Sequence, residues 1–187
     1  MRKFLAIATI AALVTAASAV DGVVVNVDIS GTESWDGYGD PSNTVILVDT
    51  AALLGLPSGT PTEFHGIGWD VTIQTVGASW LSEAKIYFDD NIAPDGSGLF
   101  LTPGVSDSFA GTGTYTSGGI IDLLDNGIPD VILPDGILRM EFYEGFDDYA
   151  DAVDAVWLQG VLQLDIVPEP ASLALLVIGG LALARRR

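Results

Sequence analysis

One histidine and no cysteine occur in the 187 residues, and these two counts remove much chemistry before any fold is considered. Without cysteine there are no disulfides, no thiolate nucleophile and no sulfur-ligated metal. A lone imidazole, His65, excludes every metal site or relay that needs two, the H-E-x-x-H pattern included. A Ser/His/Asp arrangement has its residue types, but no G-x-S-x-G elbow is present, and Ser79 in GASWLS stands in no nucleophile context. Carboxylate is what the chain has in abundance. Glu63, Glu83, Glu141 and Glu144 could supply the two acids of glycoside hydrolysis. Residues 20–166 hold 24 acids, however, so such pairs arise by chance, and no catalytic residue is assigned.

The same acids are the ligand type that hard cations take. Residues 89–95 offer Asp89, Asp90, Asn91 and Asp95, and a denser group follows at Asp147, Asp148, Asp151 and Asp154. The set expected to hold calcium is Asp125, Asn126, Asp130 and Asp135 in LLDNGIPDVILPDG, although the D-x-D-x-D-G alternation of a calcium loop is missing. Asn126-Gly127 and Asp135-Gly136 read equally as hairpin turns that need positive φ. A second binding chemistry lies in the aromatic residues. Trp35 and Tyr38 fall in a Gly- and Asp-rich loop, where exposed rings would stack on a sugar, whereas Trp69 and Trp157 sit on apolar strand faces and belong to the core.

The elements that must position these groups are strands. Val23, Val25, Val27 and Ile29 alternate with smaller or polar residues, and residues 63–76 put Ile67, Trp69, Val71 and Ile73 on one face and Asp70, Thr72 and Gln74 on the other. Residues 83–89 place Ile86 and Phe88 opposite Lys85 and Tyr87. Further strands are expected at 44–48, 114–124, 136–143 and 156–166, with one helical turn at 51–56 cut short by Gly55 and Pro57. Residues 104–119 read as an exposed hairpin or long loop. Some eight or nine short strands separated by Gly, Pro, Asp and Asn predict an all-β body, an antiparallel β-sandwich of jelly-roll-like form. About 148 residues suffice for one packed core.

The two ends read differently from the body. Arg2 and Lys3 precede an apolar run over residues 4–14, and Ala17-Ser18-Ala19 carries the small residues a signal peptidase reads. Residues 1–19 are therefore expected to be a secretory signal helix, cleaved after Ala19. At the other end Pro168-Glu169-Pro170 is expected to halt the last strand before Val167. Fourteen uncharged residues, 171–184, then form an apolar helix about 21 Å long, shorter than the ~30 Å hydrocarbon layer it would enter. Arg185, Arg186 and Arg187 mark the cytoplasmic boundary and leave the body on the outer side.

Pro168-Glu169-Pro170, Ser172, the apolar run with Gly179-Gly180 and the closing arginines together resemble the PEP-CTERM sorting signal of bacterial exported proteins. That resemblance covers residues 167–187. It implies recognition by a membrane-embedded exosortase, processing near Pro-Glu-Pro, transient insertion in the inner membrane, and delivery to the cell surface or extracellular matrix. It transfers no chemistry to the body.

With both ends set aside, 24 acids face only Lys85 and Arg139, a net charge of −22. Such a surface repels nucleic acid, which is excluded as a partner, and suits soluble life outside the cell. The body is accordingly expected to be a structural or adhesive module rather than an enzyme. Calcium-dependent carbohydrate binding, with extracellular polysaccharide as ligand, is the alternative, and a polysaccharide hydrolase the third reading.

Overall fold

The computed structural model describes residues 22–169. Ala17, Ala19, Pro170, Arg185, Arg186 and Arg187, with both expected terminal helices, lie outside the described residues. In chain order the strands are β1 (Val23–Asp28), β2 (Thr32–Ser34), β3 (Thr44–Asp49), β4 (Thr62–Thr75), β5 (Ala84–Asp90), β6 (Leu99–Leu101), β7 (Thr112–Thr116), β8 (Ile121–Asp122), β9 (Val131–Leu133), β10 (Ile137–Glu144) and β11 (Ala155–Pro168). One helical turn, α1 (Thr50–Leu53), follows β3, capped where the Asp49 side chain accepts a hydrogen bond from the Ala52 amide at 2.8 Å.

Two antiparallel sheets result, and they make a β-sandwich. In the first, β4 and β11 pair along their whole 14-residue lengths. β1 and β2 line the free edge of β11, while β7, β8 and β9 follow one another along the free edge of β4. The second sheet runs β3–β10–β5–β6. The core lies between their inner faces: Phe64, Ile73, Trp157, Leu162 and Leu164 from one sheet meet Ile86, Phe88, Leu138, Met140 and Phe142 from the other. Phe64 and Phe88 have ring centroids 5.6 Å apart, and Phe142 meets Trp157 edge-on at 5.5 Å. Burying each such side chain contributes about 1.5–3 kcal/mol.

The inward set changes parity within both long strands, and β-bulges are the reason. In β11 Ala155 and Trp157 are buried, then Gly160, Leu162, Leu164 and Ile166; the shift falls at Leu158, where the register with β4 skips a residue. In β4 the pairing passes from Phe64↔Ile166 to Gly66↔Asp165, which leaves His65 as the extra residue. A bulge of this kind re-aims the side chains beside it.

Four expectations need correction. β11 continues through Val167 and Pro168, paired with Glu63 and Thr62. Proline is tolerated there because the last rung of a ladder loses at most one donor. Asn126-Gly127 and Asp135-Gly136 do adopt positive φ at their glycines, but neither closes a hairpin. Gly127 ends a 3-10 turn at Leu124–Asn126, and Asp135-Gly136 carries the chain from β9 in the first sheet to β10 in the second. Tyr87, placed by alternation on the solvent side of β5, is fully buried. The stretch 104–119, expected as an exposed hairpin or long loop, holds β7, an edge strand paired with β4.

Candidate functional site

On the outer face of the second sheet, alternate residues of β10 and β5 stand side by side: Arg139 beside Asp89, Glu141 beside Tyr87, and Tyr143 beside Lys85. Phe100 of β6 lies next to Tyr87 on the other side. The loop between β2 and β3 is tied down over this face by Glu141. One oxygen of that buried carboxylate accepts from the Gly39 amide at 2.7 Å and from Asn43 Nδ2 at 2.9 Å, and the other accepts from Arg139 Nη2 at 2.7 Å. Asn43 closes the loop on itself, accepting from the Asp36 amide and donating to the Gly37 carbonyl.

Tyr38 is thereby set on a platform of rings. Its centroid is 4.8 Å from Tyr87, 5.6 Å from Tyr143 and 6.1 Å from Phe100, each at a steep interplanar angle. The lower two rings are buried, and Tyr87 donates its hydroxyl to Asp89 Oδ2 at 2.5 Å while accepting from the Gly98 amide. Burial raises the Tyr87 phenol well beyond its ordinary range and raises Tyr143 to about 12, with the Glu141 charge adding to the second. The upper two rings are open: Tyr38 is 43% exposed and Phe100 49%. Such a surface can stack an apolar sugar face and hydrogen-bond its hydroxyls.

Trp35 is half-buried, and among the described residues its ring pairs with none of these aromatics. Tyr38 is therefore partnered by Phe100, Tyr87 and Tyr143 instead. Phe100 carries no signal of this in the sequence, whereas the tyrosines at 87 and 143, read with the core, alternate in step with Lys85, Arg139 and Glu141. An aromatic on the polar face of a strand needs something to cover it.

A second cluster sits at the His65 bulge. His65 Nε2 is 2.8 Å from Glu63 Oε2 and 3.5 Å from Asp130 Oδ2, and all three side chains are about three-quarters buried. β9 delivers Asp130 because Val131 pairs with Phe64, and Leu123 holds the bulge by donating its amide to the His65 carbonyl at 2.8 Å. Burial raises the Asp130 pKa, the His65 charge opposes that shift, and Asp122 and Glu63 reinforce it. One imidazole and two carboxylates form a donor set that could take a divalent ion. His65, the single histidine of the sequence, is the centre of this group.

The four residues expected to hold calcium are not gathered together. Asp130 belongs to the histidine cluster. Asp125 and Asn126 lie in the 3-10 turn, with the Asp125 amide donating to Asp122 Oδ1 and Asn126 Nδ2 to the Asp122 carbonyl. Asp135 accepts from the Ile137 amide at 3.0 Å, in the turn before β10. Among the described residues, Asp125, Asp130 and Asp135 do not form a group whose carboxylate oxygens all lie within 4.8 Å of one another.

Of the sorting residues, Pro168 ends β11 and Glu169 donates its amide to the Pro61 carbonyl at 3.3 Å. Among the described residues no helix is long and apolar enough to cross a membrane.

Residues 167–187 match the family model of the PEP-CTERM protein-sorting motif. The chain thus carries that motif, which implies an exported protein sorted at the membrane with exosortase-dependent processing. No curated protein matches the sequence. Among solved structures, a Tobacco streak virus coat protein dimer aligns at 16% identity and a TM-score of 0.31, over 79% of this chain and 88% of that one. The VP2 subviral particle of infectious bursal disease virus aligns at 12% identity and a TM-score of 0.31, over 88% and 37%. Likenesses this remote carry no argument about function.

Proposed function

We propose that this chain is an exported, non-catalytic protein of the cell surface or extracellular matrix, its body an adhesive module that contacts polysaccharide through the ring platform of Tyr38 and Phe100. The observation that carries the first half is the sorting motif at residues 167–187. An exposed pair of rings over a tied-down loop supports the second. A jelly-roll reading of the sandwich agrees with the pairing: of the eight principal strands in chain order (β1, β3, β4, β5, β6, β7, β10, β11), the first pairs with the eighth, the second with the seventh, the third with the sixth and the fourth with the fifth. This is one long ribbon doubled over and wrapped into two sheets.

The hydrolase reading has less behind it. Glu141 is held by three donors, Glu63 by His65, and Glu83 by the Trp80 amide at 2.7 Å, while Glu144 is buried. A glycosidase needs two acids free to face one bond.

Cell fractionation together with the intact mass of the C-terminus, for the natural chain and for one with Pro168, Glu169 and Pro170 replaced by alanine, tests the sorting role. An extracytoplasmic protein with a shortened tail is expected, and the replacement should abolish the shortening. A cytoplasmic protein with its tail intact would overturn the proposal. For the body, full-length protein on a polysaccharide array should bind, and Tyr38→Ala with Phe100→Ala should weaken binding at least about tenfold, each ring contributing on the order of 1 kcal/mol.

A further inference from the structure

Where β10 leaves the second sheet and β11 enters the first, two acids are sealed inside the protein. Glu144, the last residue of β10, is 1% exposed, and Asp154, just before β11, is 0% exposed. Each is fixed by its backbone: the Glu144 amide donates to the Asp36 carbonyl at 2.9 Å, and the Asp154 amide donates to the Ser34 carbonyl at 3.0 Å. Ser34 also bridges them through its side chain, donating its hydroxyl to Glu144 Oε1. Asp154 Oδ2 accepts from the Asp148 amide at 3.1 Å.

That leaves one oxygen on each acid. Glu144 Oε2 and Asp154 Oδ1 are both buried without a hydrogen-bond partner among the described residues, and so is the hydroxyl of Ser79, itself fully buried. The Ser79 amide donates to the Val76 carbonyl at 3.3 Å, whereas its hydroxyl makes no hydrogen bond of normal geometry, yet stands close enough to Asp154 to favour the charged carboxylate. Orphaned buried oxygens are rare in folded proteins, because each gives up its hydration without a replacement. Two carboxylate oxygens and a hydroxyl, drawn from three segments of chain and all buried, are not incidental surface groups.

No cation of the protein relieves them. Arg139 is spent on Glu141, and among the described residues no Lys, Arg or His side chain forms an ion pair with Glu144 or Asp154. The surrounding field is negative instead: burial dominates in raising Glu144 to about 8, and Asp154, Glu83 and Asp148 add to it. Two carboxylates of opposing sheets, closed off from water and lacking a counter-charge, need either a shared proton or an external cation. The donors are all oxygen, which selects a hard ion over a soft one.

We infer that Glu144, Asp154 and Ser79 form a binding site for a hard divalent cation of the calcium class, clamping the end of β10 to the start of β11. The site is separate from the four residues that the sequence pointed to, and it does not rest on the polysaccharide reading.

The test uses full-length protein stripped with chelator. Calcium is titrated by calorimetry and by thermal melting, and terbium is used as a luminescent stand-in sensitised through Trp80, the neighbour of Ser79 in the chain. Calcium should raise the melting temperature by mass action and displace terbium. Glu144→Gln and Asp154→Asn should each weaken calcium at least about tenfold, since affinity follows the count of charged ligands. Asp125→Asn with Asp135→Asn should leave it unchanged. Absence of any calcium response in the natural chain overturns the inference and points to a shared proton. So does a response that survives both Glu144→Gln and Asp154→Asn, or one removed by the Asp125 and Asp135 changes. Should the two carboxamide variants fail to fold, Ser79→Ala decides: a folded protein with undiminished calcium affinity sinks the site.

Discussion

Three of the five tyrosines carry their hydroxyls into protected places. Tyr87 and Tyr143 lie under Tyr38, and Tyr115, packed against the core, donates to Asp107 Oδ2 at 2.8 Å. Burial is the leading cause in each case, raising Tyr115 and Tyr143 to about 12 and Tyr87 further. A phenol whose folded pKa exceeds its unfolded value of about 10 binds its proton more tightly when native, so its contribution to stability is complete below about pH 10. That contribution is lost as pH rises through the folded value near 12. Tyrosinate absorbance should therefore lag behind an ordinary phenol titration and then rise in step with the loss of circular-dichroism signal. Smooth ionisation near pH 10 in a still-folded protein would contradict it. Little of this could be read beforehand at the level of single residues. Alternation put Tyr87 on the outer face of β5, but nothing local to β5 announces that a loop some fifty positions earlier closes over that face and buries it. Tyr38 as an exposed ring was legible from its Gly- and Asp-rich surroundings, whereas its partner Phe100, on a three-residue strand, was not.

Among the strands, those with strong alternation were legible, and those defined only by a neighbour were not. β1, β4, β5, β10 and β11 show their period in the sequence because one face of each meets the core. β2, β6, β8 and β9 have two or three residues apiece, too few for a period, and exist because a long strand offers them an open edge. Both bulges were hidden as well, since a parity change looks like a lapse in the pattern until the partner strand is known. Connections can be tested by their glycines. Gly136 has φ near +68°, and a Cβ there would sit 2.4 Å from the Thr60 carbonyl oxygen and 3.0 Å from Ala51 Cβ. Gly31 has φ near +79° but open space around it. Gly31→Ala should cost about 1 kcal/mol from backbone strain alone, and Gly136→Ala about 2–4 kcal/mol once the clash is included. Denaturant melts of the two variants measure the difference, and equal losses would mean that the crossover after β9 has slack. In the core, Phe142→Ala should cost about 3–5 kcal/mol, because it empties the seat against Trp157.

For the body as a whole, charge and the end of β11 set what can be removed or changed. With 24 acids against two bases, self-repulsion opposes compactness, and salt screens it over a distance of about 8 Å at 0.15 M. In the presence of chelator, the melting temperature should climb as monovalent salt is raised from about 0.01 M to 0.15 M, and a flat response would mean the acids are too dispersed to matter. Processing of the tail makes the sharper demand. Val167 and Pro168 are paired with Glu63 and Thr62, and Glu169 holds the Pro61 carbonyl, so the body's own hydrogen bonding extends into the first two residues of Pro-Glu-Pro. Ile166 and Val167 are buried, and losing a buried aliphatic side chain of that kind costs about 2–5 kcal/mol. A chain ended after Glu169 should therefore melt with the full-length protein, whereas one ended after Asp165 should lose several degrees and expose the Phe64 edge of β4. The two truncations, compared by thermal melting, confine any cleavage that leaves the body stable to positions beyond Asp165. An unchanged melt after removal of Ile166 and Val167 would show that β11 is held by its centre alone, and the sorting segment would then be free to be cut anywhere along Pro168-Glu169-Pro170.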